Sequence, residues 1–269
     1  MWSMEVLLPL MAVGALAGFL AGLLGIGGGM VVVPIVLWLL DQQQIGGAHA
    51  QHLALGTSFA VMVFTTFSGA LAQHRKGAVR WDVVKRMAPA MVAGGLIGSA
   101  VSSYLPTRGL QIFFIVFAYA VAVQTLLRFK PKPSRQLPGT GGLTATGGLF
   151  GLLSSWVGIG GGSLSVPFML YCNVPPHQAV GTSSGLAWPM AVSGAVGYLV
   201  SGWSVAGLPE GAFGFWYLPA VAVLAACTVL FAPLGVKTAH RLPPDALKTA
   251  FGILLLLIAS QMLWKWWMA

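Results

Sequence analysis

The sequence is poor in charge. Only 7% of its 269 residues are Asp, Glu, Lys or Arg, where a water-soluble domain carries roughly a quarter. Such a chain cannot wet its own surface, which excludes an ordinary soluble fold and points to lipid as the solvent. Carboxylates are scarcest. There are five, Glu5, Asp41, Asp82, Glu210 and Asp245, and each falls at the end of an apolar run or between runs. Acids at mid-depth mark cation pathways and proton relays. Their absence there argues against a metal-cation path and leaves an anion or a neutral solute, moved passively or coupled through histidine. Cysteine is limited to Cys172 and Cys227, so there is neither a disulfide framework nor a metal-ligand spacing. The five histidines form no HxxxH or HExxH pattern. A nucleotide-phosphate loop of the GxxxxGK(S/T) kind is also missing, so energy from ATP would need a partner chain. With no nucleophile and base, and no paired acids, inside the apolar runs, neither an enzyme nor a cofactor is expected.

What the chain does have is apolar length. Crossing a bilayer takes about 20 apolar residues. The first charge-free stretch, 6–40, is too long for one crossing and is interrupted by glycines at 25 and 27–29. Runs at 53–73, 87–105 and 109–127 follow, then a basic, proline-containing segment. The pattern returns at 141–171, again glycine-broken, and at 179–201, 211–236 and 246–264. The net charge of +9 comes from basic residues clustered between these runs. Membrane topology places them there, so nucleic acid is not the expected partner.

The second half repeats the first. Residues 25–34, GIGGGMVVVP, align with 158–167, GIGGGSLSVP, at seven identical positions of ten. Residues 52–58, HLALGTS, align with 177–183, HQAVGTS, at five of seven. Ser68-Gly-Ala and Ser193-Gly-Ala follow at the same offset. Such ordered self-similarity indicates duplication. It divides the chain into a first membrane repeat at 1–128, a cytoplasmic linker at 129–140 and a second membrane repeat at 141–269. Basic residues also favour an orientation. If each glycine-broken stretch is a hairpin, the halves are inverted, and all Lys and Arg except Arg108 and Lys265 face the cytoplasm. The expected fold is therefore an all-α polytopic membrane protein with two homologous, inverted repeats. Each repeat has a Gly-broken hairpin plus three transmembrane helices.

Two motif pairs carry the expected chemistry. Consecutive glycines break a helix, and broken backbone persists in a membrane only where it is buried or lines a cavity. The helix that restarts offers unpaired N–H groups and partial positive charge, which suits an anion. Gly27, Gly28 and Gly29, with Gly160, Gly161 and Gly162, are thus candidate substrate-binding positions, as paired discontinuous helices are in transporters. The alternative is close helix packing through small residues. Thr57 and Ser58, with Thr182, Ser183 and Ser184, bring hydroxyls that donate to an anion without adding charge, or bond back to their own helices. His52 and His177 open the two GTS segments and would contact solute, carry a proton or sit at the interface.

The doubled GxGGG…P, the HxAxGTS segments, the His74-Arg-Lys-Gly element and the basic mid-chain linker together resemble the TauE/SafE sulfite exporter family, with its 4-toluene sulfonate uptake-like permeases. The resemblance covers nearly the whole chain, although the second half lacks the HRKG element. It implies a multi-pass transporter of the cell (inner) membrane. The solute would be a small sulfur-containing anion, such as sulfite or an organosulfonate like sulfoacetate, moved by alternating access as one repeat rocks against the other. An anion channel, or transport of other small organic acids, is the alternative. Expected partners are the small anionic solute and the lipid bilayer, with a homo-oligomer left open.

Overall fold

The computed structural model describes residues 4–24, 28–127, 136–239 and 244–268. Gly27, most of the basic linker and the segment 240–243 lie outside the described residues. Among the described residues, ten α-helices follow in order: α1 (Met4–Leu24), α2 (Gly29–Gln42), α3 (Ala50–Arg75, preceded by a 3-10 turn at Gly47–His49), α4 (Trp81–Ser102), α5 (Thr107–Leu126), α6 (Thr140–Val157), α7 (Gly162–Tyr171), α8 (Pro176–Ser201), α9 (Leu218–Ala239) and α10 (Pro244–Met268). The result is an all-helical membrane fold with one small exception. The apolar run 211–236 does not begin as helix. Its first residues form a hairpin of β1 (Ala212–Phe213) and β2 (Trp216–Tyr217), and α9 starts only at Leu218. Gly211 and Gly214, with φ of 84° and 56°, supply left-handed turns there.

Both glycine clusters break the chain as their composition demands. Gly28 and Gly161 sit at φ 80° and 76° and cap the N-termini of α2 and α7. A left-handed residue costs least as glycine. The restarted helices are short. α2 has 14 residues and α7 has 10, about 21 and 15 Å at 1.5 Å per residue. Neither reaches across a hydrocarbon layer of roughly 30 Å. By contrast α3, α5 and the last 20 residues of α10 are long and apolar enough to cross.

Small residues set the helix pairs. A side chain on Gly14 would meet Leu224 and Cys227, and one on Gly18 would lie 2.5 Å from Thr228 Cα, so α1 packs on α9 with the two running in the same direction. Gly147 faces Met87 and Gly151 faces Met91, so α6 packs on α4, again in parallel. α3 lies antiparallel to α8: Phe59 stacks on Tyr198 at one end of their contact and Phe67 meets Trp188 at the other. α5 and α10 are also antiparallel, joined by Tyr119–Ser260 and by Leu126 over Gly252. Two bundles result, α1–α3 with α9 and α6–α8 with α4. They meet along α3 and α8, and α5 and α10 pack against each other.

Candidate functional site

The two helix breaks meet at the centre of this arrangement. Gly29 opens α2 directly against the carbonyl of Gly158, leaving no room for a side chain. Gly158 in turn packs on Val33 and Leu55 and approaches the Ser58 hydroxyl. Met62, one turn along α3, covers Gly29 and Gly160. Met91 closes over Gly161. The amides of Gly29 and Met30, and of Gly162 and Ser163, precede the first helical bonds, which run from Val31 and Val32 to Gly28 O and from Leu164 and Ser165 to Gly161 O. Pro34 and Pro167 lie inside the same short helices. Lacking an N–H, they leave the carbonyls of Met30 and Ser163 outside the ladder.

Polar side chains around this junction are poorly satisfied. Ser58 Oγ reaches only the sulfur of Met62, at 3.9 Å. Ser163 Oγ reaches only the sulfur of Met30, also at 3.9 Å, and thioether sulfur is a weak acceptor. Ser154, beside Gly161, is fully buried and its hydroxyl has no partner. Gln51 is fully buried with both amide atoms unpaired. It shares a face of α3 with Leu55, Ser58 and Met62, at helical spacing. Deeper in α7, Ser165 donates to Ser183 at 2.9 Å. Buried polar groups are nearly always paired. A cluster left open in this way has hydrogen-bonding capacity for a solute.

The other expected positions lie elsewhere. Thr57 Oγ1 accepts the backbone N–H of Tyr217 at 2.9 Å, and its neighbour Gly56 makes room for the Phe215 carbonyl. Thr182 Oγ1 accepts the N–H of Arg80 at 3.0 Å, with Gly181 making room for the Ala78 carbonyl. Each Gly-Thr pair therefore holds the segment that leads into the next helix of its own bundle, α9 or α4. Ser184 bonds back to Val180 O. The two histidines part company. His52 is buried in the first turn of α3, and His177 is exposed on the first turn of α8. Sequence reasoning missed Gln51, Ser154 and Ser163. An amide and a Ser-Ser pair inside apolar helices are the signal that marks the first two. It also missed the Gly-x-x-x-Gly spacings at 14/18 and 147/151, a recognised close-packing pattern in membranes.

A crevice of about 700 Å³ leads inward from the surface between α2, α5 and α10. Its rim holds Asp41, paired with Lys265, and its walls include Gln44 and Gln111. It runs down past Pro34 to Val31, in the first turn of α2. Among the described carboxylates, Asp41, Asp82 and Glu210 are all exposed, and the described residues contain no cluster suited to a metal ion.

Comparison with known proteins agrees with this setting. The family model for the sulfite exporter TauE/SafE matches residues 10–262. A probable membrane transporter protein of Haemophilus influenzae is 35% identical over 254 residues, covering 94% of this chain and 96% of its own. The probable membrane transporter protein YunE of Bacillus subtilis is 29% identical, covering 72% and 78%. One from Methanocaldococcus jannaschii is 25% identical, covering 90% of each. No solved structure matches the chain.

Proposed function

Because the chain belongs to the TauE/SafE family of membrane transporters and is not an enzyme, we propose that it carries small sulfur-containing anions, such as sulfite or sulfoacetate, across the cell (inner) membrane. The observation that carries this reading is the junction of two helix N-termini beside under-bonded Ser58, Ser154 and Ser163, with unpaired Gln51 about two turns away on the same face of α3. The N-termini offer partial positive charge and the side chains offer donors, while the described residues bring no carboxylate to repel an anion. The pyramidal SO3 group that sulfite and sulfonates share presents three acceptor oxygens at once and suits several converging donors better than a neutral solute does.

The halves act as inverted repeats. Parallel pairing of α1 with α9 and of α4 with α6, and antiparallel pairing of α3 with α8 and of α5 with α10, are what a two-fold axis in the membrane plane exchanges. Alternating access then rocks the two packed bundles, α1–α3 with α9 against α6–α8 with α4, around the junction. These bundles differ from the sequence halves, because α4 and α9 have changed sides. In this orientation both termini lie outside, with the linker in the cytoplasm. A label on Ala269 is expected to react from the outer face; reaction from the cytoplasmic face alone would remove the inverted arrangement.

The direct test is uptake of radiolabelled sulfite and sulfoacetate into liposomes holding the purified chain. Saturable uptake, competed by unlabelled anion and showing counterflow, is expected. Flux that never saturates would favour a channel. Folded protein that moves neither anion would turn the search to other organic acids.

A further inference from the structure

At the outer turn of α3, His52 is buried beneath Phe215, whose ring stacks on the imidazole at 5.1 Å. Its Nε2 lies 2.8 Å from the backbone carbonyl of Ser102. A carbonyl only accepts, so Nε2 carries a hydrogen. Its Nδ1 lies 3.5 Å from Thr107 Oγ1. The single hydroxyl hydrogen of Thr107 goes to the carbonyl of Ala48, so this oxygen turns lone pairs toward the ring. Both ring nitrogens therefore face acceptors. A neutral imidazole has one donor and one acceptor nitrogen, and only the imidazolium donates from both.

Among the described residues, no carboxylate pairs with this seat for a protonated ring. The titratable group acting on His52 is His49, on the preceding turn, with ring centroids 5.9 Å apart. The start of α5 brings Thr107, the turn before it the Leu105 backbone, and the hairpin Phe215; Arg108, next to Thr107, is exposed. Beyond Phe215, α8 brings Tyr198, whose hydroxyl donates to Ser155 O. Asp41, which pairs with Lys265, and Glu210 are not among the groups acting on the ring.

We propose that His52 is the proton-binding site that couples anion movement to a proton; this rests on the anion-transport reading above. A proton delivered from outer water by way of half-buried His49 adds to the Nδ1 lone pair. The new N–H donates to Thr107 Oγ1, while Nε2–H stays on the Ser102 carbonyl. The ring gains one positive charge, which is costly away from water unless it is compensated. An anion beside Ser58, six residues and about 9 Å farther along α3, supplies the compensation that the protein does not. Each ligand then favours the other by linkage, and the sign is co-transport of proton and anion. Exposed His177 gives the second half no matching seat.

The experiment adds sulfoacetate to the purified full chain in weakly buffered detergent solution near neutral pH. A pH indicator reads proton uptake, and thermal stability reads binding separately. The wild type is expected to take up about one proton per anion bound. His52→Gln, which keeps an N–H for Ser102, should bind the anion without proton uptake, and His177→Gln should behave as wild type. Thr107→Val, which removes the acceptor for Nδ1–H, should move the uptake profile toward acid by up to about one pH unit, a tenfold rise in proton concentration. Proton uptake unchanged in His52→Gln, or wild-type binding with no proton uptake, overturns the proposal. If the wild type binds no sulfoacetate, the sulfonate reading fails, and nitrogen NMR of labelled histidines decides the proton site alone. A His52 resonance that becomes imidazolium as the pH is lowered through the range in which the protein stays folded upholds it, and a ring that stays neutral throughout that range overturns it.

Discussion

Thr57 and Ser58 are neighbours in one motif with different work to do. The Thr57 hydroxyl is tied to the backbone N–H of Tyr217, while Ser58 faces the glycine junction and holds only a methionine sulfur. Replacing Thr57 by Val leaves a buried N–H without a partner, which costs about 1–3 kcal/mol. Thermal unfolding in detergent should show that loss, with anion affinity in the surviving protein little changed. Ser58→Ala should do the reverse, lowering anion affinity severalfold at nearly wild-type stability. Equal loss of stability in both variants would remove the distinction.

Among the elements, glycine serves two purposes. At Gly28 and Gly161 it supplies the left-handed backbone that ends one helix and starts another. Along α1 and α6 it lets helices touch backbone to backbone, which matters in lipid because no hydrophobic gain holds helices together there. Two positions on the α4-facing side of α6 allow a clean comparison. A methyl on Gly151 would meet the Met91 carbonyl and lie 2.9 Å from Gly95 N, whereas one on Gly148 would lie 3.7 Å from its nearest neighbour, Ala90 O. Gly151→Ala should therefore destabilise by about 1–3 kcal/mol, and Gly148→Ala should be neutral or stabilise by up to about 1 kcal/mol. Melting temperatures of the two purified variants check this, and equal values would show that the α4–α6 seam is not tight at Gly151.

For the whole molecule, the proposed alternating access sets the moving joint between the two packed bundles, α1–α3 with α9 and α6–α8 with α4. Ala90 Cβ lies 4.0 Å from where a Gly148 Cβ would sit, within the range a disulfide spans. Cysteines there tie α4 to α6 inside one bundle, so uptake should continue after oxidation. Cysteines replacing Phe67 and Trp188, whose rings meet between α3 and α8, join the two bundles through a short cross-linker, so uptake should fall to background. Arrest by the first link and not by the second would show that motion runs along α4–α6 instead.

Much of this was legible in the sequence, because it depends on local composition. Scarce charge specifies a lipid-facing chain. Glycine runs break helices wherever they stand, as Gly28 and Gly161 do. The helix boundaries follow, apart from the hairpin at 212–217, whose aromatic residues read as a membrane run until Gly211 and Gly214 turn it. What only the tertiary structure decided is who meets whom. Small-residue stripes on different helices look alike in one dimension, and lipid does not rank them, so the pairing of α1 with α9 and of α4 with α6 emerges only from backbone fit in three dimensions. The same holds for the site. Thr57 and Ser58 differ by 100° around a helix, and His52 and His177 occupy matching motifs, yet the neighbours they meet come from distant segments. Those neighbours set which hydroxyl is occupied, which is open, and which histidine is enclosed between acceptors.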